Sequence, residues 1–307
     1  MKKSASISIA FVLSVVFTLI NCANARAQEN AQESKTSSVE FSYTAGAELH
    51  SAYIWRGLYN GGLSFQPDLN IGYEGEHTSF CFGTWWNVGA SDWGFRKGLD
   101  ENENGNPNTF FVPEVDVYGS FSFFGVNVGF THYYYFGGSK YFCWDNLKKW
   151  QETEGMVDEN TSTTEEQLGY DFSALTEVGL YVNWYTMVAG NDFAYDEDGN
   201  ITKRNFSSYL ELGYDYEFEN IGLTLGAQIG MVPWASDYYG TDKFAVTCLS
   251  LRAEKAWDFD ACSLSLFAQG MINPTYINKD NAYIKASGND KIGQQTLNGT
   301  IGLGVWF

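Results

Sequence analysis

The residues of this chain with the means to do chemistry are carboxylates that recur on one face of alternating stretches. Glu48, Asp68, Glu114, Asp116, Glu177, Glu211, Asp215 and Glu254 each stand between apolar or aromatic neighbours, joined by His50 and the guanidinium groups of Arg56 and Arg252. Burying such charges in a dry core is costly, whereas a watery interior solvates them. Asp68, Glu114, Glu177 and Glu211 each precede an expected short turn by about six to nine residues, so at about 3.3 Å per residue they share a similar height. Together they form a partial carboxylate ring, the device of cation-preferring pores. The competing expectation is that these charges are simply solvated, or pair with Arg56 and Arg252 to brace the interior.

Other chemistries fit less well. The chain offers only three histidines, His50, His77 and His132. His132 falls on an outward position, but no neighbouring serine with an orienting acid or amide accompanies it, so no catalytic residue is expected. Asp100-x-Asn102-x-Asn104-Gly105 opens like a calcium loop, yet its twelfth position is Phe111 where a glutamate is needed. Asp196-x-Asp198-Gly199 would need Ala194 as its first ligand. Both read as turns that tolerate left-handed backbone, and neither a metal nor a cofactor is expected. Four cysteines remain once the leader is removed, and their spacing selects none of the three pairings; alternation places Cys248 inward and Cys262 outward.

Strands must position these groups. The organising pattern is the last, Leu297 to Phe307, where Leu297, Gly299, Ile301, Leu303, Val305 and Phe307 share one face and mostly small or polar residues the other. The first stretch, Val39 to Gly57, sets Phe41, Tyr43, Ala45, Ala47, Leu49, Tyr53 and Trp55 outward, with aromatics at both ends like the two girdles of a membrane-crossing strand. Between them, strands are expected around 65–73, 79–88, 114–123, 126–135, 176–182, 185–190, 207–218, 221–231, 247–257 and 262–272. Short turns fall at Glu74-Gly75-Glu76, Phe124-Gly125, Asn183-Trp184, Glu219-Asn220 and Asp258-Phe259-Asp260, and the other connections are mostly long and polar. Only Tyr59-Asn60-Gly61-Gly62 breaks that long-loop rule, while Gly137 to Gly169 is expected to be one long acidic loop. EVDVY, EVGLY and ELGYD, at 114–118, 177–181 and 211–215, each open a strand heading for a short turn.

The whole chain is consistent with export. Lys2 and Lys3 precede the apolar run Ile7 to Ile20, and Ala25-Arg26-Ala27 supplies a small-residue cleavage site. Removing residues 1–27 leaves 15 basic residues against 37 acidic ones, a net charge of −22. That argues against nucleic acid as a partner. Aromatics make up 17% of the sequence, a composition suited to interfaces between an apolar and a wet phase.

Specific motifs also carry a resemblance. SAYIWRGL, SFQPDLNIGYE, FGTWWNV, EVDVY and the THYYYFG run, over about Ser51 to Tyr135, resemble the TorF-like family of outer-membrane porins, with echoes to Tyr214 and at Phe307. The resemblance implies a barrel and a pore; it supplies no substrate and no catalytic residue. The long acidic loop and the cysteines depart from that pattern.

The expected architecture is all-β: an antiparallel transmembrane β-barrel of twelve strands with both termini periplasmic. Residues 1–27 are expected to be a signal peptide, 28–38 a periplasmic leader and 39–307 an outer-membrane barrel. The expected function is an outer-membrane channel for small hydrophilic solutes, neutral or cationic, lined by Glu48, Arg56, Asp68, Glu114, Asp116, Glu177, Glu211, Arg252 and Glu254. The alternative is a non-conducting barrel whose acidic loops bind a partner or lipopolysaccharide through divalent cations. Phe307 is expected to mark the terminal strand for the barrel-assembly machinery, and outer-membrane lipid is the expected surround.

Overall fold

A computed structural model describes residues 40–89, 114–135, 162–176, 178–190, 192–196, 201–236, 238–276 and 297–307. Among these, sixteen strands alternate along the chain. They are β1 (Glu40–His50), β2 (Tyr53–Trp55), β3 (Leu58–Gly61), β4 (Ser64–Glu74), β5 (Thr78–Gly89), β6 (Glu114–Phe123), β7 (Val126–Tyr135) and β8 (Ser162–Asp171). The second half contributes β9 (Leu180–Gly190), β10 (Phe193–Tyr195), β11 (Ile201–Arg204), β12 (Ser208–Phe218), β13 (Leu223–Val232), β14 (Ala245–Asp258), β15 (Ser263–Ile272) and β16 (Leu297–Trp306). Twelve of them close an antiparallel barrel in the order β1-β16-β15-β14-β13-β12-β9-β8-β7-β6-β5-β4. The pairs β2-β3 and β10-β11 are separate two-stranded sheets. Both lie at the barrel end that carries the long connections.

Side chains alternate across the wall as the pleat requires. On β16, Leu303 is 57% exposed while its neighbour-but-two Thr300 is 5% exposed. The same parity puts Leu69, Ile71, Phe80, Phe82, Val126, Val128, Leu212, Leu251 and Leu266 on the outside, a largely apolar exterior. Glu166, exposed beside Leu168 on β8, interrupts it toward the long-loop end. On the inside, rings lie over glycines of the adjacent strand: Tyr118 over Gly83, Tyr181 over Gly213, Tyr209 over Gly230 and Phe267 over Gly302. A methyl group at any of those glycines would collide with the ring above it, so ring and glycine fix the local register jointly.

The barrel closes where β1 meets β16. Gly46 to His50 pair with Trp306 to Gly302, and the backbones of Ala45 and Phe307 exchange two hydrogen bonds of 3.3 and 2.9 Å. Beyond His50 the chain leaves the wall; Ser51 ends the ladder by donating its backbone N–H to the Ile301 carbonyl at 2.9 Å and accepting the Ile301 N–H at its Oγ at 2.9 Å.

Three expectations need correction. The first strand ends at His50 rather than running through Trp55, so Tyr53 and Trp55 belong to no outer girdle. No turn exists at Asn183-Trp184, because β9 runs unbroken through both residues. Its partner, β8, lies in what the sequence suggested was the end of the acidic loop. The short turn here is instead the 3-10 turn Phe172–Ala174, capped by Asp171, which accepts from the Ser173 backbone at 2.8 Å. One strand missed and one strand split cancel, which is why the total of twelve stands. EVGLY accordingly leaves a short turn instead of approaching one.

Candidate functional site: a hairpin inside the barrel

The chain between β1 and β4 is built to turn tightly. Trp55 pairs with Leu58 across a two-residue loop, and both loop residues have positive φ, 50° at Arg56 and 83° at Gly57. That is the primed turn whose twist suits a hairpin; glycine takes its second position freely, and Arg56 accepts the first at a cost. A side chain at Gly57 would also strike the Thr247 carbonyl on β14, so glycine is needed here twice over.

The hairpin's contacts show where it goes. Tyr53 packs beside Trp85 of β5, with ring centroids 5.6 Å apart. Asn298 of β16 donates from Nδ2 to the Gly57 carbonyl at 3.1 Å. Leu58 joins a buried cluster with Tyr209 of β12, Val232 of β13, Cys248 of β14 and Met271 of β15. At the tip, Arg56 donates from Nη2 to Glu165 Oε1 of β8 at 2.6 Å and from Nη1 to Oε2 at 3.2 Å. Strands all around a closed wall are touched by one hairpin, which is feasible only from within. Because β8 and β9 lie across the barrel from β1, the hairpin crosses the long-loop half of the lumen.

Arg56 is held on every side. Its guanidinium carbon sits 4.5 Å from the Trp55 ring, 4.1 Å from Tyr185 and 4.6 Å from Tyr209. Its Nη1 also donates to Tyr239 Oη at 2.6 Å, and Tyr133 Oη donates to Glu165 Oε2 at 2.7 Å. Trp55 stacks on Tyr239 with an interplanar angle of 10°. Burial by itself would lower the pKa of Arg56, but the adjacent Glu165 carboxylate outweighs burial and raises it. Burial likewise pushes the Tyr239 phenol up, against the pull of Arg56, and keeps it neutral. The result is a charged fork bonded bidentately to a carboxylate and faced by aromatic rings.

A second cluster stands in the short-turn half. Arg252 of β14 donates to Glu254 Oε2 from Nε at 3.1 Å and from Nη2 at 2.7 Å, and its Nη2 lies 3.8 Å from Glu48 of β1. Its guanidinium covers the Phe267 ring at 4.0 Å, and His50 Nε2 lies 2.8 Å from Glu48 Oε2. Asp215 is within electrostatic reach of Arg252. Asp68 accepts from Tyr118 Oη at 3.0 and 2.9 Å and from Asn70 at 2.9 Å.

Of the residues expected to line the interior, Glu48, Asp68, Glu114, Asp116, Glu211, Arg252 and Glu254 all lie on inward positions of wall strands. Glu177 lies outside the described residues. Arg56 is off the wall, on the tip of the hairpin. The ladder sets Asp116, rather than Glu114, level with Asp68 across Trp85. Glu211 is bonded to Gln228 and lies within electrostatic reach of Arg56 and Glu165. The acids are thus sorted into an upper group around the hairpin and a lower group around Arg252. Glu165 and Tyr239 carry no clear signal in the sequence. Glu165 sits in a strand whose outward face carries Glu166, which blurs the apolar alternation. Tyr239 lies in an irregular connection with no periodicity to expose it. His132 takes the outward parity of β7 but is buried, 6% exposed, with its Nδ1 2.9 Å from Thr164 Oγ1. Among the described residues the cysteines Cys81, Cys248 and Cys262 are unbridged, and Cys143 lies outside them. The calcium-like stretch from Asp100 and the residue Asp198 also lie outside the described residues.

No family model matches the chain, and no curated protein matches it in sequence. Solved structures similar to it are outer-membrane barrel channels. They include a Salmonella typhi OmpF complex with daunomycin, 9% identical, with a TM-score of 0.37 over 88% of this chain and 97% of that one. The Pseudomonas putida toluene transporter TodX is 12% identical, with a TM-score of 0.33 over 87% of this chain and 89% of that one. A Pseudomonas aeruginosa FadL homologue is 9% identical, with a TM-score of 0.34 over 87% of this chain and 75% of that one.

Proposed function

We propose that the protein is an outer-membrane channel for small hydrophilic solutes, neutral or cationic, whose outer half is occupied by its own β2-β3 hairpin. The observation that carries this reading is a closed barrel that is apolar outside and polar and charged inside. Water on both faces would leave the exterior belt unsatisfied, whereas lipid outside and water inside suit both faces. Barrel strands of 10 to 14 residues fit the span. Ten residues at about 3.3 Å each, tilted about 40°, cover about 25 Å, the height of the apolar band of such barrels. The resemblance of about Ser51 to Tyr135 to TorF-like porins supports the same reading.

Selectivity follows from the lower lumen, where Glu48, Asp68, Asp215 and Glu254 share space with Arg252. A net negative field there favours cations over anions. Planar-bilayer recordings under a potassium chloride gradient test both parts: the expected reversal potential favours potassium. An anion-favouring potential from folded barrels removes the selectivity claim, and silence from every variant removes the channel.

The crossing hairpin also supports the second reading, a barrel that does not conduct and whose acidic loops engage a partner or lipopolysaccharide through divalent cations. Conductance distinguishes the two. For assembly, Phe307 completes the seam with Ala45, so its deletion is expected to lower the folded, heat-modifiable fraction in the membrane without blocking export; an unchanged folded fraction counts against its role as a signal to the assembly machinery.

A further inference from the structure

We propose that the wall pocket holding Arg56 is a binding site for small solutes that carry a guanidinium group, and that such a solute releases the hairpin by taking the place of Arg56. Entry of a solute into the lumen rests on the channel reading; the chemistry of the pocket does not.

The pocket is complete without the hairpin. Glu165, Tyr133, Tyr185, Tyr209 and Tyr239 come from β8, β7, β9, β12 and the connection between β13 and β14. Together they recognise a planar fork. Both terminal nitrogens of Arg56 reach the Glu165 carboxylate, and one also reaches the Tyr239 hydroxyl. Two wall rings, Tyr185 and Tyr209, lie 4.1 and 4.6 Å from the guanidinium carbon. Glu211 adds negative potential nearby. An ammonium has neither the fork to bond bidentately nor the flat face to stack, so the site discriminates between two cations of equal charge. Trp55 is the hairpin's own addition to this enclosure.

Arg56 therefore acts as a tethered occupant of a site that the wall provides. A short tether gives an effective concentration of roughly millimolar, so free ligand competes only at or above about that level. Displacement removes the fork that fixes the tip and leaves Glu165 satisfied by the newcomer. No uncompensated buried charge is created, which is what makes exchange accessible while simple withdrawal of Arg56 is not. The cation-preferring lower lumen would present the same class of solute.

Methylguanidinium chloride is the probe, and sodium chloride and methylammonium chloride at equal concentration are the controls. In purified Arg56→Ala barrels, methylguanidinium at about ten times the tether's millimolar level is expected to raise the temperature at which the folded form is lost. The controls are expected to leave it unchanged, and adding Glu165→Gln to the variant is expected to abolish the shift. Arg56→Met, which keeps an apolar stem, replaces Arg56→Ala should that variant fold poorly. In bilayers the same probe is expected to raise the opening frequency of the wild type several-fold. Equal stabilisation by methylammonium, or a shift that survives Glu165→Gln, overturns the proposal. So does the absence of any shift in a folded Arg56→Ala barrel, even if that barrel conducts. A shift that needs Glu165 in a barrel that never conducts keeps the pocket and discards the channel.

Discussion

Arg56 and Arg252 face one interior and hold carboxylates at similar distances, yet they live in opposite conditions. The Arg56 side chain is 8% exposed and its partner Glu165 2%, whereas Arg252 and Glu254 are 31% and 29% exposed. Arg252 stands on the wall, so water reaches around it and its charge contributes to a field. Arg56 is carried across the lumen on a hairpin, and the apolar flanks of that hairpin expel the water that would otherwise screen the pair. Similar charges therefore stand in two settings: one is clamped in a dry enclosure, the other stays in contact with water. The difference comes from the backbone that delivers each residue and not from the residue type.

That contrast is broken most severely at Glu165. Removing one partner of a buried pair typically costs about 3–5 kcal/mol, because the other charge is left without compensation. Glu165→Ala is therefore expected to free the hairpin while the wall stays closed. A cysteine at Leu58, now buried, should change from protected to reactive toward a water-soluble thiol reagent; continued protection would mean that the apolar flank alone holds the hairpin. A smaller effect is expected at the turn. Gly57→Ala forces left-handed backbone, at about 1–2 kcal/mol, and adds a collision with Thr247, so partial labelling of the same cysteine is expected. Gly61→Ala on the same hairpin meets nothing within 4 Å and should label no faster than the parent. Arg252→Ala lies at the other extreme, with an expected stability change within about 1 kcal/mol by denaturant titration, since a part-exposed pair contributes little. Its effect is expected in the current instead, as a stronger cation preference.

The smallest structural effect is expected from replacing Glu48, Asp68, Asp215 and Glu254 together by their amides. Size and polarity are kept, folding is kept, and cation preference should fall. In the parent that preference should fade as salt rises, because the screening length shrinks from about 30 Å at 0.01 M to about 3 Å at 1 M. A preference independent of salt would place its origin in the buried upper cluster.

Much of this molecule could be read from periodicity. The outward rows of β1, β4, β5, β7 and β16 follow directly from alternating apolar residues, as does the inward placement of Glu48, Asp68, Asp116 and Arg252. Periodicity fails where it is locally interrupted. In β8, Glu166 stands on the outer face and made a strand look like the end of a polar loop. In β9, Asn183-Trp184 resembled a turn, yet Asn183 is an inward polar residue and Trp184 an outward aromatic, which is the pattern of a strand. The hairpin failed for another reason. Tyr53 and Trp55 continue the alternation of β1 without a break, and only Arg56-Gly57, a two-residue turn without the usual asparagine or aspartate, signals the reversal. The pairing of Arg56 with Glu165, separated by 109 positions in sequence, has no local signal at all.

The central claim, a conducting barrel closed by its own hairpin, meets its most direct test in one comparison. Single-channel conductance should be recorded for the parent and for a barrel in which residues 52–62 are replaced by a short glycine-serine link joining β1 to β4. A parent of low conductance and a linked variant with several-fold larger, cation-preferring steps is the predicted result. Equal conductance in the two, with both barrels folded, would contradict it.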